Sequence, residues 1–309
     1  MSKDATPPAE VLIDDDVVRS LVRSQHPDLA PLPLGERHEG WDNVTIRLGD
    51  ALAVRLPRRR LAAATVVTEL DWLPRISAAW TFPVPRPLRE GTPQGGYPWR
   101  WSVVQWIDGT PAYAAPLNAE GARDLGSALA QVHVPAPADA PRNPFRSHPL
   151  VSRAERLDLR LEALAAQHGD RIHADLARGI FEEGARQPAG PTTWAHLDIH
   201  GENILTTQGR LSGFLDWGDA AAGDPATDLG QALVLVGPSL FAELVGAYAA
   251  AGGAAATGGS LSEATAKHAE AEAIAYAALL AGIDETAYAN AGWSALVHLG
   301  VAQRVTSDA

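Results

Sequence analysis

The chain contains no cysteine and a single methionine in 309 residues. Without thiols it can carry no disulfide framework, no thiolate metal site and no cysteine nucleophile. Lysine is nearly absent as well, being found only at Lys3 and Lys267. A phosphate loop of the Gly-x-x-x-x-Gly-Lys type is therefore excluded, and any phosphate-binding cation in the interior of the chain must be an arginine. No apolar run has the length expected of a membrane span. The N-terminal MSKDATPPAEVLIDDDVV is polar and acidic where a secretory leader would be basic and then apolar. These absences predict a cytoplasmic protein with no membrane partner. Positive charge is also scarce: the formal net charge is -12, which argues against nucleic acid as a partner and favours cationic small molecules.

What is present has the composition of an ordinary globular protein large enough for two lobes. A short amphipathic helix is expected over residues 11–25. From residue 33 to 56 the pattern is that of strands: in Leu52–Leu56, Leu52, Val54 and Leu56 share one face, and Ala53 and Arg55 share the other. A helix is expected over 58–79, ending before the proline-rich TFPVPRPL, and GYPWRWSVVQWIDG reads as a strand entering a turn. The remainder is mainly helical. A helix capped by Asn118 comes first, with further helices over 150–167 and 171–185. Two short strands then meet at the Gln208-Gly209 turn, and a helical tail from Pro238 is broken near 251–260. The boundaries expected are 1–107 for a strand-rich N-terminal lobe and 108–309 for a larger, mainly helical C-terminal lobe, an α+β chain.

The chemistry concentrates in residues 194–229, WAHLDIHGENILTTQGRLSGFLDWGDAAAGDPATDL. His-x-Asp-x-x-x-x-Asn, followed across a hairpin by Asp-Trp-Gly, has the order of a phosphoryl-transfer site, in which an Asp orients the acceptor hydroxyl while an Asn and a second Asp hold metal. Asp198 is the candidate catalytic base. Asn203 and Asp216 offer the hard oxygens that magnesium takes. Zinc bound by the HLDIH segment is a rival, but it needs a third ligand at a suitable spacing; His196 and His200 are read instead as holding the loop by hydrogen bonds. Asp219, Asp224 and Asp228 do not follow the alternation of a calcium loop. Asp224 and Asp228 read as structural, with Asp228 bonding loop amides, and Asp219 reads as structural or substrate-facing. Arg55, charged on an otherwise apolar strand, is the candidate phosphate contact, with Glu69 on the following helix as its partner.

These motifs resemble the aminoglycoside phosphotransferase family, whose fold is that of the bilobal protein kinases: HLDIHGEN, LDWGD and GDPATDL match its catalytic, metal and structural segments, and GWDNVTIRLGDALAVRLPRR its nucleotide-loop and cation strands. The resemblance implies Asp198 as base, Asn203 and Asp216 as magnesium ligands, and Arg55 as the triphosphate contact. It further implies a nucleobase of ATP or GTP against Gln105, Trp106 and Ile107. Leu197, Gly201 and Glu202 depart from the family pattern; Leu197 is expected to alter packing only, and Glu202 to add charge beside a metal ligand. The implied activity is transfer of the terminal phosphate to a hydroxyl of a small, cationic molecule, an aminoglycoside first of all. Glu263, Glu270, Asp284 and Glu285 are candidate contacts to it. Rivals are a kinase of a macrolide, choline or homoserine, and a catalytically dead sensor that binds nucleotide or small molecule.

Overall fold

The computed structural model describes residues 8–304, so Lys3 and the rest of the first seven residues lie outside it. The described chain forms two compact units, 8–108 together with 213–219, and 109–212 together with 220–304.

The first unit opens with α1 (Asp15–Gln25), whose N-cap Asp14 accepts from the amide of Val17 at 2.9 Å. Then follow β1 (Leu34–Glu39), β2 (Asn43–Leu48), β3 (Leu52–Pro57), α2 (Arg60–Asp71), α3 (Leu73–Ile76), β4 (Pro87–Gly91) and β5 (Trp101–Gln105). The five strands form one antiparallel sheet in the order β1-β2-β3-β5-β4. Alternation decides which side is core: Val44, Ile46, Leu48, Val54, Leu56, Trp101 and Val103 pack with Val18, Leu21 and Val22 of α1, as a period of two requires. The single helix expected over 58–79 is two, because Pro74 in the second helix has no amide to continue the first.

Segment 213–219, assigned from the sequence to the helical lobe, groups with this unit. Its apolar rings explain why. Trp217 and Phe214, both fully buried, pack against Trp80 and Phe82 at centroid distances of 4.6 Å for Trp80–Trp217 and 6.1 Å for Phe82–Phe214. The amide of Phe214 donates to the Pro83 carbonyl at 3.0 Å. Burial of two such rings outweighs chain order.

The second unit comprises β6 (Thr110–Pro111), α4 (Ala119–Val132), α5 (Ala154–His168), α6 (Ala174–Ala185), β7 (Thr193–Ala195), β8 (Ile204–Thr207), β9 (Arg210–Phe214), β10 (Ala221–Gly223), α7 (Pro225–Ala250), β11 (Ala256–Thr257), β12 (Ser260–Leu261), α8 (Glu263–Ala281) and α9 (Thr286–His298). Strands β6, β8 and β9 form a small sheet, and β7 pairs with β10. Helix α7 begins at Pro225, well before Pro238, because Asp224 caps it, accepting from Ala226 N at 2.9 Å. Gly237, at φ 73°, kinks it ahead of Pro238. Contrary to the expectation that no segment is long enough, α7 is long and apolar enough to cross a membrane by length and composition. Its first half nevertheless buries Asp228 and Gln231 among loop amides.

Candidate active site

In the first unit, β3 and α2 bring Arg55 and Glu69 together, and the bend after β9 adds Asp216. Nη2 of Arg55 lies 2.8 Å from Oδ1 of Asp216 and 3.1 Å from Oε1 of Glu69. The same Glu69 oxygen accepts from the amide of Trp217 at 2.8 Å. Arg55 and Glu69 are buried, while the Asp216 side chain is 39% exposed. Burial pushes the Glu69 carboxyl up to about 7 against the opposing pull of Arg55. Burial disfavours the Arg55 cation, but Asp216 and Glu69 more than offset it, and its pKa is raised. Nε of Arg55 is buried and finds no hydrogen-bond partner among the described residues, a donor whose desolvation costs about 1–3 kcal/mol. Asp216 sits at φ 56°, in the left-handed region, where a carboxylate-bearing residue is tolerated better than most. Asp219 lies close enough to Glu69 to help raise its pKa.

At the end of β5, Trp106 donates its amide to Ala51 O at 2.9 Å and its indole N–H to Asp108 at 2.8 Å, and the Arg47 guanidinium lies 5.0 Å from the ring centroid. Gln105 is exposed and Ile107 half-buried.

In the second unit, the segment leaving β7 is held from inside by α7. Asp228, fully buried, accepts from the amides of His196 and Leu197, both at 2.7 Å, and faces His133 Nε2 at 3.1 Å. Gln231 accepts from Ile199 N at 2.7 Å and donates to Leu197 O at 3.0 Å. Burial alone would raise the Asp228 carboxyl, but His133, His196 and the amide bonds hold it below the ordinary value. Asp224 also accepts from Gly190 N at 2.6 Å. The two histidines turn Nδ1 inward: His196 accepts from Asp198 N, and His200 from Glu202 N, each at 3.2 Å. Among the described residues no trio of His, Asp and Glu side chains is arranged to hold a metal ion, and with both Nδ1 atoms on backbone amides the zinc reading of HLDIH has no support.

Asp198 itself is 23% exposed. Its Oδ1 meets Arg146 Nη2 at 2.9 Å and the Tyr276 hydroxyl at 3.4 Å; its Oδ2 meets His200 Nε2 at 3.4 Å and Asn203 Nδ2 at 3.5 Å. Burial works to raise its pKa, but the Arg146 guanidinium and His200 outweigh it and hold the carboxyl well below the usual carboxylate range. Asn203 Nδ2 donates to the Asp198 carbonyl at 2.9 Å, which leaves the amide Oδ1 for another partner. Around the carboxylate stand aromatic rings: Tyr113 and His200 with centroids 6.3 Å apart, and Tyr288 within 5.3 Å of Tyr113 and 5.1 Å of His200.

A model of the phosphotransferase enzyme family matches residues 34–269. The chain belongs to this family. The viomycin phosphotransferase of Streptomyces vinaceus is 29% identical over 240 residues, covering 72% of this chain and 78% of that protein. Among solved structures, an aminoglycoside 2'-phosphotransferase-IIIa in its GDP complex superposes with a TM-score of 0.67 at 15% identity, over 93% of this chain and 98% of that one. A macrolide 2'-phosphotransferase from Brachybacterium faecium gives 0.58 at 21% identity, over 91% and 98%. The phosphotransferase thus has the kinase-like α+β fold of these enzymes.

Two departures from the family pattern acquire physical reasons in the phosphotransferase. Leu197 stands at φ 68°, so the change from glycine is not one of packing alone: a leucine there costs about 1–2 kcal/mol of backbone strain. The bonds of Asp228 and Gln231 to both its peptide groups, and its complete burial beside Ala195 and Ala221, hold it in place. Gly201 carries the Tyr113 ring directly against its α-carbon, where any β-carbon would overlap ring atoms. Glu202 is exposed and adds to the upward shift of the Tyr288 hydroxyl, which burial dominates.

Of the acidic residues singled out for substrate, Glu270 lies on α8 about 120° around the axis from Tyr276, the α8 residue that reaches Asp198. Asp284 is exposed, Glu285 is the N-cap residue of α9, and Glu263 pairs with Lys267 at 2.9 Å. Asp219 belongs to the first unit. Sequence reasoning missed Arg146 and Tyr276, the two residues on Oδ1 of Asp198. The only available signal for Arg146 was the polar loop PRNPFRSHP, which has no periodicity to mark it.

Proposed function

We propose that the enzyme transfers the terminal phosphate of ATP or GTP to a hydroxyl of a small antibiotic, with an aminoglycoside as the first acceptor to test and viomycin close behind, and that it acts in the cytoplasm, where nucleoside triphosphate is available. The observation that carries this reading is the Asp198 carboxylate. It is ionised, partly exposed and ringed by aromatic side chains, on a segment whose every turn is fixed by Asp228, Gln231 and two histidines.

In the reaction the acceptor oxygen forms a bond to the γ-phosphorus, the bond to the bridging oxygen breaks, and nucleoside diphosphate leaves. The acceptor proton passes to Asp198. A carboxylate held this far below its usual pKa is a weak base, so its main contribution is to orient the hydroxyl while the proton departs late, as a loose phosphoryl transition state allows. Arg55 is the proposed triphosphate cation, its Nη2 already turned to the partly exposed Asp216 carboxylate at 2.8 Å. Glu69 holds it in place. Gln105, Trp106 and Ile107 are the proposed base-binding residues. Asn203 and Asp216 are the proposed magnesium ligands: an amide oxygen and a carboxylate are the hard donors this ion takes, and the Asn203 amide nitrogen is already engaged. Magnesium bound there would neutralise phosphate charge. The residues 1–107 and 108–309 would serve as nucleotide-binding and acceptor-binding lobes.

The test is nucleotide consumption against a panel of aminoglycosides, viomycin, macrolides, choline and homoserine, with magnesium present and absent. Consumption that depends on one antibiotic class identifies the acceptor. Nucleotide binding without consumption on any acceptor would establish the sensor reading instead.

A further inference from the structure

Asp228, which holds the segment leading to Asp198, is itself held from two helices. His133 is the C-cap residue of α4, and its side chain, like that of Asp228, is closed to solvent. The chain after it runs beside β7: Trp194 N donates to Val134 O at 2.9 Å, and Pro135 forms a bridge with Thr193. Gly126 lets α4 lie so close to α7 that a β-carbon there would overlap the Leu244 carbonyl. One turn further along α7, the fully buried Tyr248 brings its hydroxyl to 2.9 Å from His133 Nδ1, while Nε2 faces Asp228 Oδ2 at 3.1 Å. Gly253 lies directly on the Tyr248 ring, and Ala255 N donates to the Tyr248 hydroxyl oxygen at 3.1 Å.

The bonds at the two ends of this series determine where its protons are. Asp228 accepts from the amides of His196 and Leu197, both at 2.7 Å, and as a carboxylate it can only accept, so His133 Nε2 carries the N–H. The Tyr248 oxygen accepts from Ala255, which leaves its one proton for His133 Nδ1. A proton on Nδ1 as well would turn that hydroxyl proton away from the imidazole and strand a buried donor. From Ala255 through Tyr248 and His133 to Asp228, every bond therefore points the same way.

We propose that His133 and Tyr248 are positioning residues for phosphoryl transfer: the tyrosine hydroxyl fixes the imidazole, and the imidazole N–H fixes Asp228 and through it the peptide groups that precede Asp198. This rests on the reading of Asp198 given above and adds to it two residues that act only through Asp228. With the His133 donor in place the Asp228 carboxylate is held by a side chain as well as by the two amides. With the amides alone its terminal torsion, which is broad in aspartate, is set less firmly. That slack passes to the amides of His196 and Leu197, and a misplacement of about 1 Å at a reacting group costs about 100-fold in rate.

The experiment uses the full-length enzyme and begins without any ligand. Two-bond proton–nitrogen spectra of isotope-labelled histidine are expected to show His133, the ring whose signals vanish in H133Q, protonated at Nε2 and hydrogen-bonded at Nδ1. In Y248F, which removes one hydroxyl, the Nδ1 signal should move to the position of an acceptor without a partner. Amide exchange at His196 and Leu197 should then quicken by about 3- to 10-fold relative to Ile199, which Gln231 holds independently. A general loss of stability would quicken all three alike. On the acceptor that supports nucleotide consumption, Y248F should lower kcat by about 3- to 10-fold and H133N by about 10- to 100-fold, with KM for magnesium ATP within about twofold of the wild type. H133Q, whose amide nitrogen reaches close to the position of Nε2, should recover most of that loss. If the His133 variants fail to fold, Y248F decides alone, through the one histidine ring it shifts and the two amides. A wild-type His133 protonated at Nδ1, equal quickening of the three amides in Y248F, or wild-type turnover in H133N overturns the proposal alone. Absence of nucleotide consumption with every hydroxylated acceptor overturns the functional reading, and the role in turnover with it.

Discussion

The two charged clusters of this enzyme are built on opposite principles. In the first unit a single buried cation, Arg55, serves two carboxylates, Glu69 and Asp216, and still keeps one buried donor without a partner. In the second unit Asp228 is matched by amides and a histidine, and Asp198 by an arginine. A cluster with surplus negative charge has something to gain from a cation. A cluster already satisfied is rigid, and its contribution is geometry. The first is accordingly the proposed site for phosphate and a cation, and the second the proposed site for positioning a hydroxyl.

Substitutions at four residues break or sharpen that contrast. The largest effect is expected for Asp198→Ala, which should lower turnover by about 10²- to 10⁴-fold while leaving nucleotide affinity, measured by equilibrium titration, nearly unchanged. Loss of nucleotide affinity in parallel would mean that the clusters do not divide the work. Next is Asp228→Ala, which strands two loop amides and should cost about 3–5 kcal/mol in denaturant unfolding. Its pH dependence carries a sign. The folded pKa of Asp228 is lowered, so its stabilisation is present above the ordinary carboxylate value and is lost as pH falls through the folded pKa. The variant should accordingly show a shallower loss of stability in acid than the wild type.

Arg55→Ala should raise KM for nucleotide and cut kcat by roughly 10- to 100-fold, with the acceptor KM little changed. Arg55→Lys should recover much of this, because a point charge still reaches the phosphate. The smallest effect is expected for Glu69→Gln. Burial raises the Glu69 carboxyl to about 7 from 4.5, so between these values the folded state binds more protons than the unfolded one, and stability falls as pH rises. Thermal melting of Glu69→Gln across that window should show a flatter profile than the wild type. An identical slope would place Glu69 at its ordinary pKa.

Much of the local structure was legible in the sequence, because its causes are local. The alternation in Leu52–Leu56 marked the strand that carries Arg55, and Asn118 marked the start of α4, accepting from Gly121 N at 2.9 Å. The scarcity of lysine left arginine as the candidate phosphate cation, and the spacing of Asp198, Asn203 and Asp216 made these the residues now proposed for the chemistry. The period of two in strands and the capping of helix ends act over a few residues, so a single sequence displays them.

The rest depended on contacts between residues distant in the chain. Phe214 and Trp217 draw 213–219 into the first unit, and Arg55 meets Asp216 across 161 positions. Leu197 takes a left-handed conformation because Asp228 and Gln231 leave it no other, and Arg146 finds Asp198 because Asn143 and Ser147 fix a turn against β10. A sequence pattern records what a residue does to its neighbours along the chain. The partner of a buried charge is chosen by packing, and packing is decided only when the distant segments close upon each other.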